Sequence, residues 1–281
     1  MTEWCWLNGR VMPLCEATIS VEDRGFQFAD GVYESVRIYG GKPFALEMHL
    51  DRLERSCGGI RLPLAMEKVS LREEILKLVA RSGVLDGLIY LQITRGAAVR
   101  NHLFPSPLRP TILFYVRALP PISDVEMARP YTLISVPDER WQKCWIKSIA
   151  LLENVLARNA AAAAGADEAI FVDSGHVTEG ASSNLFLVND GTLVTAPLGN
   201  KVLPGITRDI LLDCAKEIQL PVRERAMKLE EAKQCAEVFI TSSIREVVPV
   251  TKWDDAAIGG SGAITHKLHE AFRRRVAVSL K

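Results

Sequence analysis

Lys147 lies in "CWIKSIALLENVLA", an amine flanked by Trp145 and Ile146 ahead of an apolar run. Desolvation among such neighbours lowers a lysine pKa and makes the amine a usable nucleophile or base; a solvated lysine at an element edge is the ordinary alternative. Glu179 stands in "HVTEGASSNLFLV", after a turn at Ser174 and Gly175. The small residues that follow it, Gly180, Ala181, Ser182 and Ser183, let a flat ligand approach the backbone closely. A capping or turn glutamate fits the same place. "KVLPGITRD" sets Ile206 and Thr207 at a helix start, where unpaired amides and a hydroxyl suit a phosphate. "TSS" at 241 to 243 offers Ser242 and Ser243 as a second site of that kind, and Arg52 in "HLDRLERS" could grip a phosphate bidentately. Each has a plain reading as a cap or a salt bridge, but together they outline a small phosphorylated molecule that needs no metal. "RNHLFP" carries Arg100 and His102 two apart in an extended loop, so both point one way and could receive a carboxylate. Tyr33, in "DGVYESV", faces opposite to Val32 and is either core or a hydroxyl within reach of a ligand.

Several common chemistries lack their minimal parts. There is no G-x-G-x-x-G, no G-x-x-x-x-G-K-[ST], no H-E-x-x-H and no G-x-S-x-G, and the five histidines share no metal spacing. The six cysteines form no C-x-x-C pair, and a chain of 281 residues needs no disulfide staples, so the expected setting is a reducing one, the cytoplasm. Lys and Arg number 34, as do Asp and Glu, so no net field steers the surface toward nucleic acid or an anionic membrane. No stretch approaches the roughly 18 consecutive apolar residues of a membrane span.

The elements that must hold these residues alternate between strand and helix. "WCWLNGRVMP" reads as a hairpin about Asn8 and Gly9. A strand is expected over Val32 to Tyr39, then a turn at Gly40 and Gly41. The helix after it has Leu46, Leu50 and Leu53 on one side and Met48, His49 and Arg52 toward other surroundings. "LREEILKLVARSG" is a helix closed by Gly83, and "GLIYLQITRG" and "TILFYVRAL" are strands. Residues 1–119 make a small N-terminal α/β domain, the proline-rich 120–130 a linker, and 131–281 a larger C-terminal domain. Within the last, a helix is expected from near Ser148 to Gly165, strands at "YTLISVPD", "EAIFVD", "SNLFLVN", "GTLVTAP" and "EVFITSS", and a helix at "TRDILLDCAKEI" with Thr207 as candidate cap. A short helix at "LEEAKQCA" and an amphipathic one at "HKLHEAFRRRVAVSL" complete it, with Arg273, Arg274 and Arg275 as a solvated face.

The order and spacing of "DRGFQFADGVYESVRIYGG", "HLDRL", "ITRG", "RNHLFP", "CWIKSIALLENVLA", "VTEGASSNLFLV", "LPGITRD" and "VFITSSIREVVPV" resemble the fold-type IV pyridoxal-phosphate aminotransferases over nearly the whole chain, and within them the D-amino acid branch. The resemblance implies an α+β fold of two domains, the C-terminal one with a β-barrel-like sheet core, and an active site between them. It implies pyridoxal 5′-phosphate as cofactor, carried by Lys147, with Glu179 at the ring nitrogen, Ser182 in the cofactor-binding loop, and Arg52, Ile206, Thr207, Ser242 and Ser243 around the phosphate. Tyr33, Arg100 and His102 would face the substrate carboxylate, the last two reaching in from the partner of a homodimer. The implied reaction moves the amino group of a D-amino acid, D-alanine, to a 2-oxo acid, 2-oxoglutarate. Branched-chain L-aminotransferase, (R)-selective amine transaminase and 4-amino-4-deoxychorismate lyase activities share the fold and stand as alternatives, with a non-catalytic binding protein as a different class.

Overall fold

A computed structural model of the chain describes residues 3–122, 129–260 and 262–280, so residues 123–128 of the expected linker lie outside the described residues. The described residues fall into two compact units. The first takes those up to Pro121 together with Ile146–Ala150 and Leu280; the second takes most of the remainder.

The first unit is one antiparallel sheet with helices. Strands β1 (Trp4–Leu7) and β2 (Arg10–Pro13) form the expected hairpin. Asn8 and Gly9, at φ 48° and 89°, supply the two left-handed residues that a two-residue turn needs. After the short helix α1 (Arg24–Phe28) come β3 (Gly31–Tyr39), β4 (Lys42–Pro43), helices α2 (Leu46–Gly59) and α3 (Lys68–Ser82), and strands β5 (Gly87–Thr94) and β6 (Thr111–Ala118). The sheet order is β2-β1-β6-β5-β3-β4. Leu46, Leu50 and Leu53 of α2 are buried as their spacing requires, but His49 and Arg52, expected on another face, are buried too. The reason is Glu34 on β3: it shares the inward row of Val32, Val36 and Ile38, and a carboxylate there draws the Arg52 guanidinium and the His49 ring of α2 into the core as hydrogen-bond donors.

The segment around Lys147 departs from expectation. The helix foreseen from near Ser148 starts at Leu152. Ile146–Ala150 instead lies along β3: Tyr33 donates its amide to the Lys147 carbonyl (3.0 Å), Ile149 donates to the Gly31 carbonyl (3.1 Å), and Val32 bridges Ser148. Backbone committed to a strand neighbour cannot also make helical bonds, so the helix is delayed.

The second unit holds β7 (Tyr131–Pro137), helix α4 (Leu152–Ala163), β8 (Glu168–Asp173), β9 (His176–Gly180), β10 (Asn184–Asn189), β11 (Thr192–Thr195), helix α5 (Ile206–Glu217), β12 (Val222–Glu224), β13 (Met227–Lys228), helix α6 (Leu229–Lys233), β14 (Glu237–Ser242), β15 (Glu246–Trp253), β16 (Ala256–Ala257) and helix α7 (Ala263–Ser279). Its ten-stranded mixed sheet runs β12-β11-β10-β14-β15-β7-β8-β9-β13, with β16 on β15. Leu185, Leu187, Val238, Ile240, Val248, Val250 and Trp253 fill one buried cluster, and the residues between them, Phe186, Phe239 and Val247 among them, are buried too, so β10, β14 and β15 are covered on both faces. Thr207 does not cap α5; Gly205 holds the cap position and, having no side chain, makes no side-chain cap hydrogen bond. Arg274 and Arg275 are exposed as a solvated face requires, while Arg273 departs from it by pairing with buried Glu246.

Candidate active site

In the first unit, Lys147 and Tyr33 come together because the 146–150 segment is pinned to β3. The Lys147 amide donates to Ser56 Oγ (3.1 Å) on α2, and its Nζ lies 4.3 Å from the centroid of the Tyr33 ring. Tyr33 continues into a ladder of stacked rings, 5.8 Å to Tyr90 and from there 5.2 Å to Tyr115. Behind Lys147 sits a buried triad. Glu34 accepts from Arg52 Nε and Nη2, both at 2.7 Å, and lies 2.7 Å from His49 Nδ1. Burial pushes the Glu34 carboxyl up, yet Arg52 and His49 outweigh it and hold the group down at about 2. Burial lowers His49 below the usual imidazole range, against the pull of Glu34, and the Arg52 and Lys147 charges add to that. A neutral His49 therefore donates Nδ1–H to Glu34, since a carboxylate can only accept. The bidentate edge of Arg52 expected for a phosphate is occupied by Glu34.

Arg100 and His102 also adjoin one another, on an exposed loop. The Arg100 guanidinium stands 4.4 Å over the Phe28 ring, and the His102 ring packs at 5.4 Å against the same ring. Arg24 donates to the Asn101 and Leu103 carbonyls and so fixes the loop's path. The "ITRG" block is scaffolding: Arg95 is buried, with Nε on Asp30 and its other nitrogens on the carbonyls of Ile60 and Arg61.

In the second unit, β9 presents Glu179, 4% exposed, to three donors. Arg140 Nη1 approaches one oxygen at 2.6 Å, while Asn184 Nδ2 (3.1 Å) and the Leu203 amide (2.9 Å) reach the other. Arg140 is itself locked by Asp138, at 3.0 and 2.8 Å, and by the Lys201 carbonyl. Burial pushes Glu179 up to about 7 despite Arg140. Asn184 links this carboxylate to the head of α5: its Nδ2 also donates to the Leu203 carbonyl, and a Cβ on Gly205 would collide with its Oδ1. Ile206 and Thr207 open that helix, both buried. Asn184 also pairs in register with Thr241, one residue before Ser242, so the half-buried Ser242 and Ser243 follow at the end of the neighbouring strand. Ser182 is exposed and donates its hydroxyl to Glu168 (2.7 Å).

A phosphate group fits this set on two observations. The twelve-residue helix α5 has no side-chain cap, and the buried Thr241 hydroxyl has no partner among the described residues. Both are demands that an anion with several acceptor oxygens meets. Sequence reasoning missed Glu34, His49, Arg140 and Asn184. Glu34 had a signal, a charge in the inward row of a strand otherwise valine and isoleucine; Arg140 had none.

Two units built on a six-stranded antiparallel sheet and a ten-stranded mixed sheet make a fold-type IV aminotransferase fold. The sequence pattern of amino-transferase class IV matches residues 31–253, and the chain belongs to that family. A D-alanine aminotransferase of Listeria monocytogenes is 40% identical over 271 residues, 95% of this chain and 93% of the relative. Among solved structures, a branched-chain amino acid aminotransferase from Thermoproteus uzoniensis, bound to norvaline, superposes with a TM-score of 0.89 at 26% identity, covering 98% of this chain and 94% of that one. A 4-amino-4-deoxychorismate lyase from Pseudomonas aeruginosa gives 0.83 at 31% identity, covering 96% and 98%.

Proposed function

We propose that this chain transfers the amino group of a D-amino acid, D-alanine, to 2-oxoglutarate, with pyridoxal 5′-phosphate as cofactor. The observation that carries the reading is the end-to-end likeness to a relative named D-alanine aminotransferase, and the paired Arg100 and His102 support it as a carboxylate receiver. The six free thiols suit a reducing compartment, the cytoplasm.

Lys147 is the catalytic residue in this reading. Its Nζ would hold the cofactor; once the substrate's amino group has displaced it there, the freed amine takes the proton from the substrate's α-carbon as base and returns it as acid to the carbon on the far side of the amino nitrogen, two bonds away. The Tyr33 ring beneath the amine, 4.3 Å off, limits where it can move. The cofactor, when bound, supplies an electron sink for the charge left on the substrate's α-carbon. Glu179 keeps a proton on the ring nitrogen; a cation against it draws its pKa down from about 7 and holds it ionised. The α5 amides at Ile206 and Thr207, the Thr207 hydroxyl, Ser242 and Ser243 hold the phosphate, Arg52, whose Nε and Nη2 are taken by Glu34, contributes its charge rather than a bidentate grip, and the Ser182 loop passes the ring. Arg100 and His102 receive the substrate carboxylate from the partner of a homodimer. Clamping the carboxylate on one side turns the α-hydrogen of one enantiomer toward Lys147.

The test is pyruvate formation from D- and L-alanine with 2-oxoglutarate. D-alanine should turn over faster by at least about a hundredfold, some 3 kcal/mol of discrimination; faster use of the L enantiomer rejects the assignment. The second reading, a lyase acting on 4-amino-4-deoxychorismate, is favoured by the Pseudomonas aeruginosa likeness, and pyruvate release from that compound without any acceptor would select it.

A further inference from the structure

Glu246 occupies a backbone position that favours glycine. Ser242 pairs with Glu246 across the β14–β15 hairpin, which leaves Ser243, Ile244 and Arg245 as a three-residue loop. Glu246, the first residue of the returning strand, takes a left-handed backbone at φ 57°, a conformation that glycine adopts without strain and other residues rarely do. Its side chain is wholly buried and accepts from His269 Nε2 (3.1 Å) and Arg273 Nη1 (2.6 Å), both on α7. The opposite end of the same hairpin is tied to the same helix: Glu237 accepts from the Ile264 and Thr265 amides at 3.2 and 2.7 Å and from the Thr265 hydroxyl at 2.6 Å. Within the loop, the Arg245 amide donates to Ser242 Oγ at 3.1 Å. Helix α7 thus grips the hairpin by a carboxylate at each end. The contacts of the Glu246 side chain, rather than its backbone, account for a glutamate there, since glycine would adopt the conformation without strain.

We infer that Glu246, held by His269 and Arg273, is a positioning residue for cofactor binding: it fixes the Ser242–Arg245 loop so that Ser243 meets the cofactor phosphate. This rests on the phosphate role proposed for Ser243 above. A purely structural glutamate would weaken every ligand alike or none, whereas a residue that shapes the phosphate loop acts only on ligands that carry the phosphate.

The experiment titrates the full-length apoprotein with pyridoxal 5′-phosphate and, separately, with pyridoxal, following absorbance, and records the thermal midpoint of each apoprotein. Glu246→Gly removes the anchor and the backbone strain together; Arg273→Gln removes one donor and leaves His269 on Glu246, and the thermal midpoint checks that each variant is folded at the titration temperature. Both variants should weaken the phosphate ester by about tenfold or more and pyridoxal by less than about twofold, the pattern of a contact confined to the phosphate. Equal losses for the two ligands, or no loss for either, overturn the inference. Ser243→Ala separates the two layers: if it does not discriminate between the ligands, the phosphate reading itself fails, and if it does while the Glu246 and Arg273 variants do not, only the positioning role falls.

Discussion

A carboxylate as deeply buried as Glu179 stays charged only through what touches it, and Arg140 is the one full positive charge bonded to it among the described residues. With its pKa near 7, the group is half protonated at neutral pH before any cation joins it. Cofactor capture by the apoprotein should therefore fall on the acid side with a midpoint near 7, and Arg140→Gln should move that midpoint up by at least about one unit, because the charge that opposes burial is gone. An unmoved acid limb would remove Arg140 from the site. Glu179→Gln should keep the fold while slowing transamination by about a hundredfold or more, as loss of a charge-stabilising contact at a reacting group does; unchanged single-turnover rates would contradict the ring-nitrogen role. Lys147, Glu179, Thr207 and Ser243 can be singled out as candidates from the sequence because each is a polar residue next to small or apolar ones near a turn or an expected element end. Arg140 is not, because nothing in "PDERW" says which of its charges turns inward; that is decided by Asp138 and by a strand 39 residues further on.

Elements are joined by the same few charges. The Glu34–His49–Arg52 triad ties β3 to α2 and so fixes the floor on which Lys147 lies. Glu34 titrates at about 2 in the folded chain against an ordinary 4.5, so its stabilisation is fully present above pH 4.5 and is lost as pH falls through 2. The loss amounts to ~3 kcal/mol, and Glu34→Gln should flatten this acid dependence in denaturant unfolding while costing ~3–5 kcal/mol at pH 7, where it strips buried Arg52 of its carboxylate. A full acid slope in the variant would place the effect elsewhere. Glu179 runs the other way: raised to about 7, it contributes stability below pH 4.5 that is lost as pH rises through 7. Sequence pattern locates strands and helices where alternation or a glycine stop is strong, as in the first hairpin and at Gly83. It misplaces the start of α4 because apolar residues at 146–151 serve either a helix or a segment lying on a strand, and only the partner, β3, decides.

At the scale of the molecule, the segments around Arg100 and His102, the proposed carboxylate receivers, are apolar where they are most exposed. Val21, Phe26, Val99, Leu103 and Phe104 are 55–80% exposed, and hydrogen bonds from Ala98 to Glu22 and from Arg24 to Leu103 gather them into one region. A patch of that kind beside Arg100 and His102 is the surface a second copy would cover in the proposed homodimer. If those two residues serve the partner's Lys147, Lys147→Ala and Arg100→Ala chains are each inactive alone, yet a mixed dimer has one site with neither defect. Equal mixing after dissociation yields mixed dimers as about half of the population, each with one intact site of two, so activity should recover to about a quarter of the unsubstituted level. Were Arg100 to act on the Lys147 of its own chain, every site in the mixture would lack one residue or the other and no activity would return. Phe26→Asp with Val99→Asp should leave each chain folded, shift light-scattering mass to the monomer, and abolish the recovery, because burying two charges at the centre of the contact costs more than a patch of this size can offset.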